Sequence, residues 1–183
     1  SSACMAGEVP FHLLNDRYDD ARKTAEWYAD VFKDRYYLEV QAHEAGDQRI
    51  LNERIFTLAG ALNLPVVATN DAHFLRAEDH DAHDVLLCIG LKKDRSDADR
   101  LRYDRGLFFK SAPEIRAHFE DRPDVLENTL KIADEVVLQF TGELGIADTK
   151  IAYLSSASGS KEVYMMDYDG AGPTRLTSNR SIN

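Results

Sequence analysis

The stretch LPVVATNDAHF, residues 64–74, decides the fold of this chain. Residues 63–70, NLPVVATN, form a short apolar run without an alternating polar face, which is typical of a parallel strand buried on both faces. A helical stripe of apolar residues precedes it, between Ile50 and Leu62. A strand-length run rich in β-favouring residues, 35–41, precedes that helix. Two helix-to-strand units in succession predict an α/β domain.

Two side chains follow directly on the buried strand and carry candidate chemistry. Asp71 and His73 are spaced i, i+2, so both are expected to project to the same side of the strand end. A carboxylate and an imidazole at the carboxyl end of a parallel sheet can share a divalent metal. The spacing alone leaves an alternative open, in which Asp71 caps the next helix and His73 packs beside it.

The rest of the first 136 residues is predicted to be helical with one long loop. Apolar spacing predicts a helix over residues 16–32, with Asp16 as its N-cap. Three more helices are expected over the ranges 81–89, 112–119 and 123–136. Residues 92–105 mix Lys and Arg with Asp, which is more typical of a solvated loop than of a DNA contact.

Composition excludes several classes of protein. The 183 residues carry 32 acidic and 22 basic side chains, a net charge of −10, which argues against a free-standing DNA-binding module. Only Cys4 and Cys88 are present, so a disulfide framework is not expected and a reduced, cytosolic setting is. The sequence has no long apolar run and no signal-like start, so we expect no membrane partner. The opening residues lack an initiator Met, and we expect the chain to be a fragment.

Four segments, taken in order, resemble a known domain. They are SACMAGEVP, the stretch LPVVATNDAHF, AHDVLLCI and FFKS, at residues 2–10, 64–74, 82–89 and 108–111. They resemble the second half of the PHP domain of the bacterial replicative DNA polymerase alpha subunit, that of polymerase III. The resemblance covers about residues 1–135.

The resemblance implies a fold and a metal site. The fold would be part of a distorted (β/α) barrel of the PHP type, with a metal cluster at the strand ends. Carried over residue by residue, Cys4, Asp71 and His73 would be late ligands of a divalent metal, which is zinc or else manganese or magnesium. The family's earlier His, Asp and Glu ligands precede Ser1, so this chain is expected to bind metal weakly or not at all.

The resemblance also implies a function in DNA replication. The parent would be a nucleotidyltransferase, and its PHP domain would have a metal-dependent 3′-5′ exonuclease activity or a structural role. DNA and the other polymerase holoenzyme subunits would be its partners, in the cytoplasm. No catalytic residue or nucleic-acid-binding residue can be assigned in this chain. A PHP-superfamily phosphoesterase remains an alternative, although the ligands that it needs are missing.

The other histidines are not expected to be ligands. Residues 78–84, EDHDAHD, are the most metal-like stretch by composition, but acidic residues also favour a helix start, and we expect His80 and His83 to be structural. His43 follows a strand and is expected to face solvent, and Cys88 is expected in the core. Two further histidines have no evident partners, His12 and His118.

The last 48 residues have a different character. β-type runs at 149–155 and 161–167, joined by a Ser/Gly-rich turn at 155–160, predict an all-β hairpin. The segments ADEVVLQFTGE, IADTKIAY, KEVYMMDYDG and TRLT, between residues 133 and 177, resemble the first β-propeller blade region of the periplasmic TolB-like family. We therefore divide the chain into residues 1–135 and 136–183 and hypothesise a chimera. The tail alone would imply a periplasmic envelope-binding protein.

Overall fold

A computed structural model describes residues 1–43, 46–147, 149–156, 159, 161–168, 170 and 172–178. The helices are α1 Glu8–Leu14, α2 Tyr18–Phe32, α3 Gln48–Leu62, α4 His80–Leu91, α5 Ala112–His118 and α6 Pro123–Thr141. The strands are β1 Leu38–Gln41, β2 Val66–Thr69, β3 Lys150–Ser155, β4 Glu162–Asp167 and β5 Thr174–Arg175. The chain forms two compact units, Ser1–Asn128 and Thr129–Asn183.

The first unit is organised around a parallel pair of strands. β1 and β2 lie side by side with Leu38 opposite Val66 and Gln41 opposite Thr69, and α3 connects them. Both strands are buried along nearly their whole length, because helices cover the sheet and no solvent face remains. The mixed α/β prediction is confirmed. The described residues add one isolated parallel bridge, Phe74 with Phe108, but they do not close a barrel.

The core of this unit joins the two strands to the first three helices. α3 contributes one stripe, Leu51, Ile55 and Leu58, each no more than 1% exposed. This stripe has the three- and four-residue spacing that the sequence pattern predicted. The other apolar side chains of the cluster that are no more than 2% exposed are Val9, Leu13, Ala21, Ala25, Tyr36, Leu38, Val40, Ala42 and Val125.

Two local predictions near the start of the chain fail. The helix α1 was not predicted, because seven residues with Pro10 in the first turn give too short a periodic pattern to recognise. Asp16 does not cap α2. It lies before the helix with a positive φ of 57°, and its carboxylate pairs instead with the Arg54 guanidinium at 2.8 Å.

The later helices follow the sequence prediction closely. α5 begins with a capping box in which the Ser111 backbone N–H donates to the Glu114 carboxylate at 2.8 Å, and Pro113 lies in its first turn. α6 begins at Pro123, as expected, but continues five residues beyond the predicted end at 136. Cys88 of α4 is buried, which confirms its place in the core.

The second unit contains the predicted hairpin. β3 and β4 pair antiparallel, with Tyr153 opposite Tyr164, and β5 adds to the other edge of β4. Residues 157, 158 and 160 of the predicted turn lie outside the described residues. The propeller resemblance stays a prediction. So does the boundary after residue 135, because the division between the units falls inside α6 and does not test it.

Within the described ranges, no helix combines the length and the apolar character that a membrane span requires.

Candidate functional site

The segment that follows β2 is held in place by hydrogen bonds to residues 107–110. The Asn70 side-chain amide donates to the Lys110 carbonyl at 3.2 Å, and the Lys110 N–H donates back to the Asn70 side-chain oxygen at 3.3 Å. The His73 N–H donates to the Leu107 carbonyl at 2.8 Å. These bonds hold Asp71 in a left-handed conformation with a φ of 48°, which few residues other than glycine adopt without such support.

The Asp71 carboxylate lies between two imidazoles. Its Oδ1 is 3.5 Å from the His73 Nε2, and its Oδ2 is 4.0 Å from the His43 Nε2. The Asp71 and His73 side chains are 29% and 31% exposed, so both remain accessible. The structure therefore brings Asp71 and His73 together, as their spacing suggested, although a turn beyond the strand achieves this rather than strand alternation.

His43 contradicts the expectation that it faces solvent. Its side chain is only 2% exposed, and its Nε2 lies 3.2 Å from the Gln41 side-chain oxygen. Burial lowers the pKa of His43, and the Asp71 carboxylate opposes this effect only in part. The register of the two strands explains this position. Because Gln41 pairs with Thr69, the residue two positions beyond β1 lies beside the residue two positions beyond β2, which is Asp71.

Cys4, the third expected ligand, has no observed contact with the Asp71–His73 pair. It is exposed, in the turn before α1. The neighbouring Ser2 is tied to the outer side of β1, since its N–H donates to the Tyr37 carbonyl at 3.0 Å. Across the part of the chain that the structure describes, no three His, Cys, Asp or Glu side chains are grouped so that they could hold a metal ion.

The donor types fit a divalent metal, but their number does not complete a site. Asp71 and His73 offer oxygen and nitrogen donors 3.5 Å apart. Zinc sites take three or four protein ligands, so two are insufficient. No reaction step through a metal can therefore be derived from this chain.

His73 belongs to an aromatic cluster with Tyr103 and His83. The His73 ring stacks on Tyr103, with centroids 4.1 Å apart and planes inclined by 30°. His83 lies at the edge of the same group, 5.5 Å from the Tyr103 ring. His80 bonds to the Tyr103 carbonyl through its Nε2 at 3.0 Å. These contacts agree with the structural role expected of His80 and His83.

A buried ion pair, which the sequence analysis missed, anchors the loop that carries Tyr103. Arg100 Nη2 donates to the Asp84 carboxylate at 2.8 Å, and both side chains are less than 10% exposed. Arg95 adds a second hydrogen bond at 3.1 Å. The Arg100 hydrogen bonds hold the pKa of Asp84 below its ordinary value. The loop 92–105 is thus charged, as predicted, but it is not simply solvated.

Comparisons with known proteins identify related sequences. Residues 1–43 match the family described as PHP domain. A DNA polymerase III subunit alpha from Borreliella burgdorferi is 38% identical over 148 residues, which are 79% of this chain and 13% of that relative. The DNA polymerase III subunit alpha of Campylobacter jejuni is 39% identical over 150 residues, 76% of this chain and 12% of the relative.

A third relative gives the same result. The DNA polymerase III subunit alpha of Treponema pallidum is 39% identical over 134 residues, 72% of this chain and 12% of the relative. The resemblance to the PHP domain of replicative polymerase alpha subunits is confirmed. The chain spans only about an eighth of the length of these curated relatives.

Proposed function

We propose that this chain, similar to the PHP region of DNA polymerase III alpha subunits, works as part of such a subunit in DNA replication. The observation that carries the proposal is the 38–39% identity to three of these subunits over about three quarters of the chain. Synthesis of DNA is assigned to parts of the subunit outside these residues. The partners are then DNA and the other holoenzyme subunits, in the cytoplasm.

Within that subunit, we assign Asp71 and His73, together with Cys4, to a divalent metal site that other residues complete. The donor chemistry and the accessible position of the Asp71–His73 pair at the end of β2 support this assignment. The ion would be zinc, manganese or magnesium. The complete domain would be a distorted (β/α) barrel of the PHP type, in which β1 and β2 are neighbouring strands.

The activity that suits such a site is hydrolysis of phosphodiester bonds. A metal ion can polarise a phosphoryl oxygen and provide hydroxide, and a replicative polymerase has use for 3′-5′ exonuclease activity. A site that has lost this chemistry would keep the domain as a structural part of the subunit. Either way, the residues of this chain supply only one side of the site.

Calorimetric titration of the purified chain with zinc and with manganese tests the incomplete ligand set. We expect no stoichiometric binding, because the described residues offer only two grouped donors. An Asp71→Asn chain is the matched control for any weak heat that is seen. Tight one-to-one binding that Asp71→Asn abolishes would contradict the proposal that the site is completed elsewhere.

A chimeric polymerase tests the ligand assignment directly. Residues 1–135 of this chain would replace the matching region of the Borreliella burgdorferi relative, and retained primer extension would show that the chimera folds. Metal content is then measured by mass spectrometry with Asp71→Asn, His73→Ala and Cys4→Ser, and with Cys88→Ser as the control. We expect loss of metal in the first three only. Unchanged metal in an active Asp71→Asn chimera would reject the assignment.

A further inference from the structure

The Arg100 guanidinium organises the loop 92–105 from within. Its Nη2 donates to the Asp84 carboxylate at 2.8 Å, and its Nη1 donates to the other carboxylate oxygen, so the ion pair is bidentate. Two further hydrogen bonds of 3.2 Å run from the same guanidinium to loop carbonyls, those of Arg95 and Leu101. Only 5% of the Arg100 side chain and 8% of the Asp84 side chain are exposed. A buried bidentate pair fixes the guanidinium plane, and the two carbonyls transmit this constraint to the loop backbone.

Tyr103 follows Arg100 by three residues and brings the loop into contact with His73. Its ring stacks on the imidazole with centroids 4.1 Å apart. His80 bonds the Tyr103 carbonyl at 3.0 Å, and His80 lies four residues before Asp84 on α4. One face of α4 therefore holds the loop at two points. The His80 bond fixes a single backbone atom, whereas the buried ion pair holds the backbone that leads to Tyr103.

The His73 imidazole depends on this stacking for its orientation. A hydrogen bond to the Leu107 carbonyl at 2.8 Å fixes the His73 backbone, but the side chain can still rotate about two torsion angles. The His73 Nε2 is 3.5 Å from the Asp71 Oδ1, which is longer than an ordinary hydrogen bond. The contact of its ring with His83 is also longer, at 6.4 Å between centroids. Tyr103 is therefore the closest restraint on the plane of the imidazole.

We propose that Asp84 and Arg100 are positioning residues for His73. Their ion pair holds Tyr103 against the imidazole, which keeps the His73 Nε2 directed towards Asp71. Groups that orient a metal-binding histidine change metal affinity by about 10- to 100-fold when they are removed. The value of this orientation for a metal site rests on the proposed function, whereas the coupling between the ion pair and the ring does not. The start of α4 thus serves the site at the end of β2 without supplying a ligand.

The ring-proton resonances of His73 report this coupling in the 183-residue chain, because the ring current of Tyr103 shifts them. Asp84→Asn keeps the shape of the side chain and removes its charge. We expect the His73 resonances to move downfield, in the same direction as in Tyr103→Leu. All spectra are recorded at one alkaline pH, so that protonation of the imidazole does not contribute.

Asp99→Asn is the matched control for this measurement. Asp99 pairs with Lys93 in the same loop at 3.0 Å, but its side chain is 77% exposed. Loss of this exposed pair should leave the His73 resonances where they are. Unmoved resonances in a folded Asp84→Asn chain, or an equal displacement in Asp99→Asn, would overturn the proposal.

The double variant Asp84→Leu, Arg100→Met distinguishes positioning from a purely stabilising role. Apolar replacement of a buried ion pair is often neutral or stabilising, so the midpoint of thermal unfolding should stay close to that of the unaltered chain. A methionine cannot donate to the carbonyls of Arg95 and Leu101, so the loop still loses these bonds. We expect the His73 resonances to remain displaced although stability is restored. Resonances at their unaltered positions in a stable double variant would reject the positioning role.

Two further measurements decide if these variants do not fold. The unaltered chain should show nuclear Overhauser effects between the ring protons of His73 and Tyr103, and their absence would overturn the proposal. Arg100→Lys keeps a cation beside Asp84 but cannot form the bidentate pair. It should displace the His73 resonances in the same direction as Tyr103→Leu, and unmoved resonances would count against the proposal.

Zinc affinity in the chimeric polymerase separates failure of this inference from failure of the proposed function. Measured by competition with a chelator, it should fall about tenfold or more in Asp84→Asn and stay unchanged in Asp99→Asn. Loss of metal in Asp71→Asn, alongside undiminished zinc affinity in Asp84→Asn, rejects the positioning role alone. Displaced His73 resonances in Asp84→Asn, alongside a chimera indifferent to Asp71→Asn, reject the metal assignment alone.

Discussion

The segment after β2 and the start of α4 offer the same kinds of side chain and use them differently. The first holds Asp71 and His73, and the second holds His80, His83 and three Asp residues, so that composition alone favours the second as a metal site. In the structure, Asp81 and Asp84 pair with arginines of the loop 92–105, whereas the Asp71–His73 pair remains about 30% exposed. Residues of the same type thus differ in the availability of their lone pairs, and composition does not show this difference.

The difference arises from the structural element that lies beside each segment. β2 ends beside β1, so that residues from two strands meet at one edge, and His43 and Asp71 become neighbours. α4 starts against a long loop of mixed charge, and Arg100 of that loop neutralises Asp84 within the protein. A carboxylate already paired with a guanidinium has little to offer a metal ion.

The largest expected effect is on thermal stability, and it distinguishes the carboxylate of Asp84 from that of Asp71. Asp84→Ala leaves the guanidinium of Arg100 buried without its partner, and we expect the midpoint of thermal unfolding to fall by roughly 10 °C. Asp71→Ala removes a partly exposed group whose imidazole neighbours can be neutral, and we expect a change of no more than about 3 °C. Circular dichroism melts of both variants test the contrast, and equal losses would remove the distinction between the two segments.

Acid unfolding sharpens the same comparison. The pKa of Asp84 is lowered in the folded chain, so its stabilising effect is complete above its unfolded pKa and is lost as the pH falls through the folded value. The difference in unfolding free energy between the unaltered chain and Asp84→Asn should therefore be constant near pH 7 and shrink below about pH 4. Urea unfolding at several pH values measures it. A difference that grows on acidification would contradict the assigned pairing.

The aromatic cluster of His73, Tyr103 and His83 links the two segments, and we expect its disruption to have a smaller effect on stability. Tyr103→Leu removes the ring that stacks on His73 at 4.1 Å, which should cost about 1 kcal/mol in the free energy of unfolding. The ring-proton resonances of His73 should also move downfield, because the ring current of Tyr103 is lost. Tyr103→Phe keeps the ring and is the control. Unmoved His73 resonances in Tyr103→Leu would show that the stacking is absent in solution.

The smallest expected effect is on the stability of His80→Ala, in the stretch that is most metal-like by composition. His80→Ala deletes one hydrogen bond to the Tyr103 carbonyl, and we expect a loss of about 0.5–1 kcal/mol in the free energy of unfolding. His118→Ala, on the exposed end of α5, should change stability by less than about 0.5 kcal/mol. Denaturant unfolding curves compare them. If His80→Ala instead reduced the metal content of the chimeric polymerase, its structural role would be wrong.

Much of the fold could be predicted because its signals are local. The buried run of β2 and the apolar stripe of α3 each depend on periodicity within one segment, and both were found. The short helix α1 was missed, and the capping role assigned to Asp16 was wrong. The first gives too few turns for a pattern, and the second depends on Arg54, thirty-eight residues away along the chain.

The candidate site was predicted in part for the same reason. Asp71 and His73 lie two residues apart, so their proximity follows from local geometry. His43 and Lys110 reach this region from distant segments, and nothing in their own neighbourhoods showed burial. The metal role of Cys4 stays a prediction, since its partners in any site would also come from distant parts of the chain.

The amino-acid sequence by itself determined the α/β character of the first unit, the antiparallel strands of the second and the resemblance to polymerase PHP domains, because periodicity and ordered motifs are properties of the linear chain. Only the tertiary structure decided which polar groups remain available. Long-range contacts bind Asp84 to Arg100, bury His43 beside Asp71 and bury Lys110. Charge neutralisation and desolvation depend on three-dimensional neighbours, and these determine which side chains can bind a ligand.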